Sequence, residues 1–532
     1  MLFFTYSQKM KSINSAGAIT ERPDYRMLKL SVLFFFLSGT AFHLILAYKG
    51  YHNYRAQHLG PAINYAQGDI DLMNPVIVGF NAGDTPTPLE LPLWQATAAL
   101  LFKGFGTWTG WANVASLLFG IAALWPLFKI SKAYGSERVA WWTLIIYSSL
   151  PLIFYYNGRA CTDGSSITFT LWFLYFADLM VRTREWRWLL PSMIFGALSA
   201  LSKAPFFFCA GICSFLLLLV HSKTSLKSWV QLSITGLVAG LLFMLWTKHT
   251  DAAIAKAEFP LVDLRTSGGS DDQFMKNWYF GDWHYKLNPA NWVKGGWRFL
   301  NANLGSFALL SLLLWGGVAS RNRFGQMLFL AGGLTTLVFT HVVLHHSHYY
   351  LMFSPAVAIL CGWAVVQIES SVFTSYRGRN GFVLIMIVGL FLSTIQGLVG
   401  MKTSLDADPY PRMVAKIIAE KTSAEEKFLI QGGGWGGEYL ILAERRGLSI
   451  WDTKFLEKPE TLKRIQELGY TKLVMISESP MLLAIQQSNP GQSLQKRASY
   501  STNITPVAQN WKTLYQTEDV MIKEIPIGTQ AK

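Results

Sequence analysis

The sequence predicts a multi-span α-helical membrane protein with about 11 crossings and one re-entrant or interfacial helix, followed by a soluble α/β domain. Three observations predict this. Of the 532 residues, 51% are apolar and only 15% are charged. Apolar runs recur from Leu30 to Gly400 and then stop. Basic residues gather in every second connection between those runs, the pattern of cytoplasmic loops. The chain therefore divides into a membrane body, 1–402, and a soluble domain, 403–532.

The apolar runs lie near 30–48, 91–106, 111–129, 139–156, 165–181, 188–203, 205–220, 228–247, 304–319, 326–344, 350–366 and 381–399. A full crossing takes roughly 20 residues, so several are short. Lys129, Lys132 and Arg138 share one connection, and Arg182, Arg184 and Arg187 another. Lys223 and Lys227, Arg321 and Arg323, and Arg377 and Arg379 fill three more. All five should be cytoplasmic, as should an N-terminal tail with Lys9, Lys11, Arg22 and Arg26. Both conditions hold only if one early run fails to cross. The short run 91–106, which opens Leu91-Pro92, is the expected one. The first long apolar run begins only at Leu30, without a small-residue cleavage site, and reads as a retained span.

This topology places the C-terminus outside. On the same face lie the acidic loop 49–90, the 157–164 link, the turn at Lys203, the loop 248–303 and the His345–Tyr350 link. The net charge of +14 sits almost wholly in the membrane body, because residues 403–532 carry 16 Lys/Arg against 15 Asp/Glu. That distribution excludes a basic nucleic-acid-binding domain. The four cysteines, Cys161, Cys209, Cys213 and Cys361, all lie in the membrane body, so the soluble domain has no disulfide framework.

In the soluble domain, Pro411–Lys421 reads as a helix, and Lys427–Gln431 as a strand. The glycine run Gly432-Gly433-Gly434-Trp435-Gly436-Gly437 follows, then a helix over Glu438–Arg445. A helix over Glu460–Leu468, a strand over Lys472–Ser477 and a terminal hairpin, Trp511–Gln516 with Val520–Ile525, complete it. A glycine run between strand and helix can cradle phosphate. This one lacks the Lys-Ser/Thr of a P-loop, and a turn over the membrane site is the expected role.

The residues capable of chemistry cluster on the outer face. Glu90 stands where an aqueous loop enters the membrane before Pro92, and Asp163 stands just after a span. Ionisable groups at such depths default to a functional reading, and two carboxylates on one cavity suit base or electrostatic work. The structural readings are a salt bridge that pins the loop for Glu90 and a helix N-cap for Asp163. Arg55, Arg159 and Lys203 are cations placed for a lipid phosphate, or for interfacial snorkelling. His345-His346-Ser347-His348-Tyr349-Tyr350 invites a zinc reading. The spacing on a tight link is poor for it, so His346, His348, Tyr349 and Tyr350 are expected at a phosphate. No clear motif indicates a divalent metal, although one is compatible with the site. In loop 248–303, Trp278, Tyr279, Phe280, Trp283, Tyr285, Trp292 and Trp297 form either a sugar platform or an interfacial belt.

Taken in order, these motifs resemble the GT-C class of integral-membrane glycosyltransferases. The resemblance is to bacterial relatives of the dolichyl-phosphate-mannose protein mannosyltransferases and of the lipid A aminoarabinose transferase. The matching stretches are Glu90-Leu91-Pro92-Leu93-Trp94, Arg159 to Asp163, Ser202-Lys203-Ala204-Pro205, His348-Tyr349-Tyr350-Leu351, and Trp435, Tyr439 and Arg446-Gly447. The resemblance implies a polyprenyl-phosphate sugar donor, a lipid, glycan or protein acceptor, and an inverting transfer on the face away from the cytoplasm of a bacterial inner membrane. An acidic residue would activate the acceptor while basic and aromatic groups hold the phosphate. One departure stands out. Many members carry an Asp close to an Arg in the first loop, and counting from Arg55 that place is His58. Either Asp84, Asp69 or Asp71 substitutes as base, or Glu90 and Asp163 suffice. Two other classes fit a chain of many spans: a translocase for a lipid-linked glycan, and a polymerase or ligase that uses a diphosphate-linked oligosaccharide.

Overall fold

The computed structural model describes residues 25–49, 55–82, 85–220, 225–259, 277–320, 322–373, 375–401, 408–432, 437–450, 453–477 and 506–526. Among the described residues, the membrane body is built from helices and their connecting loops. It comprises α1 (Arg26–Tyr48), α2 (Ala56–Gln67), α3 (Leu93–Phe105), α4 (Gly110–Tyr134), α5 (Glu137–Ser149), α6 (Pro151–Tyr156), α7 (Asp163–Thr183), α8 (Leu189–Ser202), α9 (Ala204–Val220) and α10 (Leu226–Ile254). Then come α11 (Trp283–Leu287), α12 (Pro289–Arg298), α13 (Phe307–Ala319), α14 (Arg323–Val338), α15 (Thr340–His345), α16 (Ser354–Val372) and α17 (Tyr376–Gly400).

Among the described residues, six helices are long and apolar enough to cross a membrane, or up to seven if a bent pair counts as one span. The expected run at 91–106 becomes α3, only 13 residues long, or about 20 Å at 1.5 Å per residue. That is well short of a hydrocarbon core of about 30 Å. The loop expected over 248–303 is partly helical instead. α10 continues to Ile254, and α12 with its π-helical extension to Leu304 meets α13 at 98°. Gly305, at φ +74°, forms the corner, where a Cβ would strike the Ser393 backbone.

α5, α7 and α16 form the centre of the body. Trp142, Tyr147, Phe173, Phe206 and Phe324 are fully buried within one continuous apolar core. Burying a large side chain contributes about 1.5–3 kcal/mol. The same core includes Cys161, Cys209, Cys213 and Cys361, all four as free thiols. At one end of it, Arg138 pairs with the buried Glu369, which also accepts from Trp142 Nε1 at 3.4 Å.

The C-terminal region contains α18 (Tyr410–Lys421), β1 (Lys427–Gln431), α19 (Glu438–Leu442), β2 (Arg446–Ile450), α20 (Pro459–Glu467), β3 (Tyr470–Ile476), β4 (Thr513–Gln516) and β5 (Val520–Glu524). They build a five-stranded sheet of order β2-β1-β3-β5-β4, parallel across β2-β1-β3 and antiparallel from β3 onward. Strand β2 is not expected from the sequence, in which the helix expected over Glu438–Arg445 stops just before it. Gly433–Gly436 lie outside the described residues.

The loop between α2 and α3 ties this sheet to the body. Gly79 forms a parallel bridge with Leu448 at the sheet's β2 edge, and its carbonyl accepts from Ser449 N–H at 2.8 Å. Gly79 has φ +76°, and a Cβ there would lie 2.7 Å from Leu440. Farther along, Ala82 bridges Glu258, whose carboxylate takes both arms of the Arg464 guanidinium at 2.7 and 2.8 Å.

Candidate active site

Three chain breaks bring the polar residues together. Arg55 is extended (φ −103°, ψ 122°) just before α2, with its N–H donating to the Ala160 carbonyl at 3.2 Å. Lys203 is extended (φ −157°, ψ 102°) between α8 and α9. Pro205 lacks an N–H to continue the α8 ladder, so the break is built into the sequence. Glu90 lies on the approach to α3, where Pro92 pushes the preceding residue out of helical geometry. Its neighbours are fastened on both sides: Leu89 O accepts from Trp246 Nε1 at 3.0 Å, and Leu91 N–H donates to Leu201 O at 3.0 Å. Glu90 is thereby fixed between α8 and α10.

Asp163 opens α7, where the helix dipole favours a negative charge. Its side chain is fully buried, and both oxygens face cations. Lys203 Nζ bonds one, and Arg55 Nη1 lies 3.1 Å from the other. Arg55 Nη2 continues to His348 Nδ1 at 3.0 Å and to the Tyr156 hydroxyl at 3.5 Å. Lys203 Nζ sits 5.3 Å from the Tyr349 ring centroid, a cation–π distance. Arg55, Lys203, Asp163, His348 and Tyr349 thus form one cluster with two cations for one carboxylate.

Glu90 lies within electrostatic reach of Lys203, Asp163 and Arg55, and it differs from Asp163 in retaining 27% of its side-chain surface. Thr162 Oγ1 donates to Glu90 Oε2 at 2.6 Å. His58, buried beneath, has Nε2 3.3 Å from Thr162 Oγ1 and 3.7 Å from Glu90 Oε2. Burial raises the Glu90 carboxyl pKa above its ordinary value, against the lowering pull of Lys203 and Thr162. Burial, reinforced by the Arg55 charge, holds the His58 imidazole pKa well below 6.5 and therefore neutral.

Other expected site residues lie elsewhere. Arg159 lays its guanidinium 5.0 Å from the Tyr155 ring centroid, and its carbonyl accepts from Ser116 Oγ at 2.6 Å. The two oxygens of Asp163 face Lys203 and Arg55. Tyr350 turns away from the cluster and donates to Gly295 O at 2.9 Å. His346 packs between Trp278 and His348, with ring centroids at 5.2 and 5.3 Å. Burial and the adjacent His345 push its pKa down to about 3. Asp69 is exposed in the turn after α2. Asp71 is also exposed and caps its own turn, accepting from Met73 N–H at 2.9 Å and Asn74 N–H at 3.2 Å. Asp84 lies outside the described residues. Among the described residues, no group of three or more His, Cys, Asp or Glu is placed to hold a metal ion.

Two participants escape a reading of the sequence. Thr162 and Tyr156 are neutral, so neither stands out as an ionisable group at a membrane boundary. The only signal for Thr162 is its place immediately before Asp163.

Residues 86–247 match the family described as dolichyl-phosphate-mannose-protein mannosyltransferase. No curated protein sequence matches the chain. Among solved structures, the fold is similar to that of ArnT from Cupriavidus metallidurans bound to undecaprenyl phosphate. The TM-score is 0.61 at 12% identity, over 93% of this chain and 98% of that one. The apo form of the same enzyme aligns with a TM-score of 0.57 at 11% identity, over 92% and 97%. The matched segment contains Glu90, Thr162, Asp163 and Lys203, the heart of the cluster. In sequence over that segment, and in fold over nearly its whole length, this membrane protein resembles the GT-C glycosyltransferases.

Proposed function

We propose that this protein moves a sugar from a polyprenyl-phosphate-linked donor to a lipid, glycan or protein acceptor at the outer face of the membrane. One observation carries this reading: a partly exposed carboxylate, Glu90, lies beside two cations held by a single buried acid. Solved ArnT, which shares the fold, binds undecaprenyl phosphate, and that ligand suits a site of this charge.

The chemistry follows from the placement. An acceptor hydroxyl or amine attacks the anomeric carbon of the donor sugar. The bond between that carbon and the phosphate oxygen breaks, and its electron pair leaves with the lipid phosphate. Lys203 and Arg55 stabilise the departing charge, with His348 and Tyr349 beside them. Charge-assisted hydrogen bonds to phosphate are about twice as strong as neutral ones. Glu90 takes the acceptor's proton. Asp163 has both oxygens occupied by cations and therefore works through them, as a positioning residue. Attack from the side opposite the leaving phosphate inverts the anomeric centre.

The test is to identify which lipid-linked species the purified protein consumes, with wild type and Glu90→Gln compared in reconstituted membranes. Loss of a general base costs roughly 10²–10⁴-fold in rate. Consumption of a monophosphate-linked sugar by wild type, reduced to that degree in Glu90→Gln, is the expected result. Full activity in Glu90→Gln, or exclusive use of a diphosphate-linked oligosaccharide, would overturn the reading.

A further inference from the structure

The side chains around Glu90 carry an inference about how that carboxylate is prepared. The hydrogen-bond directions can be read from the donors available. Thr162 N–H is a donor, and it faces His58 Nδ1 at 3.4 Å. Nδ1 must therefore accept, and a neutral imidazole then carries its one proton on Nε2. That N–H faces Thr162 Oγ1 at 3.3 Å. The hydroxyl has a single proton, and at 2.6 Å it is given to Glu90 Oε2. The opposite tautomer would set two donors against each other at Nδ1 and leave the Nε2 lone pair facing the carboxylate.

The chain of bonds has one direction, from His58 Nε2–H to Thr162 Oγ1–H to Glu90 Oε2. Its first two members are buried scaffold. His58 is 4% exposed on α2 and Thr162 is 3% exposed immediately before α7. His58 also packs edge-on to Trp94 of α3, with centroids 6.4 Å apart. Trp94 is fully buried and is itself fixed by its Nε1–H donating to Ser116 Oγ at 2.9 Å. The imidazole is therefore held in one rotamer and one tautomer. Consecutive hydrogen bonds polarise one another, so the hydroxyl is a stronger donor to Glu90 than an isolated threonine.

We propose that His58 and Thr162 are positioning residues for Glu90: a hydrogen-bond chain from imidazole through hydroxyl fixes one carboxylate oxygen and leaves the other for the acceptor. The proposal rests on the reading of Glu90 as the base. It assigns His58 a role other than proton acceptor, since its Nε2 proton is given to Thr162 Oγ1 and its Nδ1 lone pair is taken by a backbone N–H. It also makes an acid at that place in the first loop unnecessary. The other charged and titratable groups that face Glu90 are Lys203, Arg55 and Asp163, with Tyr279 and Tyr349. None of these bonds Glu90 in the way that Thr162 does.

The test needs no knowledge of the sugar. Glu90 protonation is followed by infrared titration of the full-length protein in lipid nanodiscs, with the carboxyl band assigned by its loss in Glu90→Gln. Thr162→Val removes the donor, and His58→Leu removes the group that polarises it. Each should move the Glu90 midpoint upward, by on the order of one pH unit for Thr162→Val and less for His58→Leu. Thr162→Ser and His58→Gln keep a donor in place and should restore the wild-type midpoint. Undecaprenyl phosphate, used as a binding probe, should bind all four variants as it binds wild type. An unmoved midpoint in Thr162→Val would overturn the proposal, as would a shift in Thr162→Ser equal to that in Thr162→Val. So would an upward shift accompanied by loss of undecaprenyl phosphate binding, because the whole cluster would then have been disturbed. Failure here leaves the base assignment intact, since that assignment stands or falls on transfer by Glu90→Gln.

Discussion

Replacing Lys203 separates two jobs that the structure combines in one side chain. Lys203 is 7% exposed and bonds the fully buried Asp163, and it is also one of two cations proposed to meet the donor phosphate. Lys203→Met keeps the stem and removes the charge. The lost charge-assisted hydrogen bond is worth about 1.5–3 kcal/mol, so undecaprenyl phosphate should bind roughly ten- to a hundredfold more weakly. Breaking a buried pair by removing one partner also costs about 3–5 kcal/mol of stability. Here the cost should fall at or below the lower limit, because Arg55 still lies 3.1 Å from Asp163. The double variant Lys203→Met with Asp163→Asn removes both charges and should recover thermal stability. Its affinity for the lipid phosphate should remain well below wild type. The assays are calorimetric titration with undecaprenyl phosphate in nanodiscs and thermal unfolding of the same preparations. Wild-type affinity in Lys203→Met would reduce the lysine to a structural counter-ion. Wild-type affinity in the double variant alone would attribute the single variant's loss to misfolding. Either result refutes the reasoning.

Three further outcomes are expected. Because burial raises the Glu90 carboxyl and the base works only when ionised, transfer should fall as pH drops through a midpoint above the ordinary glutamate range. A pH–rate profile checks this, and the acid limb should be absent from the residual activity of Glu90→Gln. Reporter fusions at Lys223 and Arg377 should read cytoplasmic and a fusion after Lys402 should read outer; the reverse would place the cluster on the wrong face. Gly79→Val should destabilise the junction with the sheet by about 1–3 kcal/mol, because its positive φ and the nearby Leu440 leave no room for a side chain. Limited proteolysis of the C-terminal region should be faster in that variant.

Much of the membrane body is legible in the sequence because hydropathy and loop charge act locally. The short run at 91–106 is set apart by charge parity together with its length and its Leu91-Pro92 opening, and it folds as a 13-residue helix. In the soluble region, Lys427–Gln431 is legible as a strand because its apolar residues are flanked by a charge and a glycine run. Arg446–Ile450 is not, since a short strand after a helix carries little pattern of its own and gains its identity from pairing with β1. The site shows the same division. Glu90, Asp163, Lys203 and Arg55 stand out as ionisable groups in apolar surroundings. Their pairing does not, because Arg55 and Asp163 are brought together by tertiary packing. Thr162 is invisible for a simpler reason: a threonine beside a helix start is ordinary until the structure shows an imidazole on one side and a carboxylate on the other.

The bridge between Gly79 and Leu448 bears on how the chain can be cut or recombined. β2 is an edge of the sheet, and an open edge is a template for pairing with another chain. Here the membrane body's own loop between α2 and α3 covers part of it, a few residues before the segment that carries Glu90. A C-terminal fragment beginning at residue 403 would leave that edge bare and should self-associate. For the same reason a C-terminal domain transplanted from a relative would arrive without its matching loop. The two segments are remote in sequence but paired in the fold, and chimaeras should retain folding only when residues 75–90 travel with the sheet.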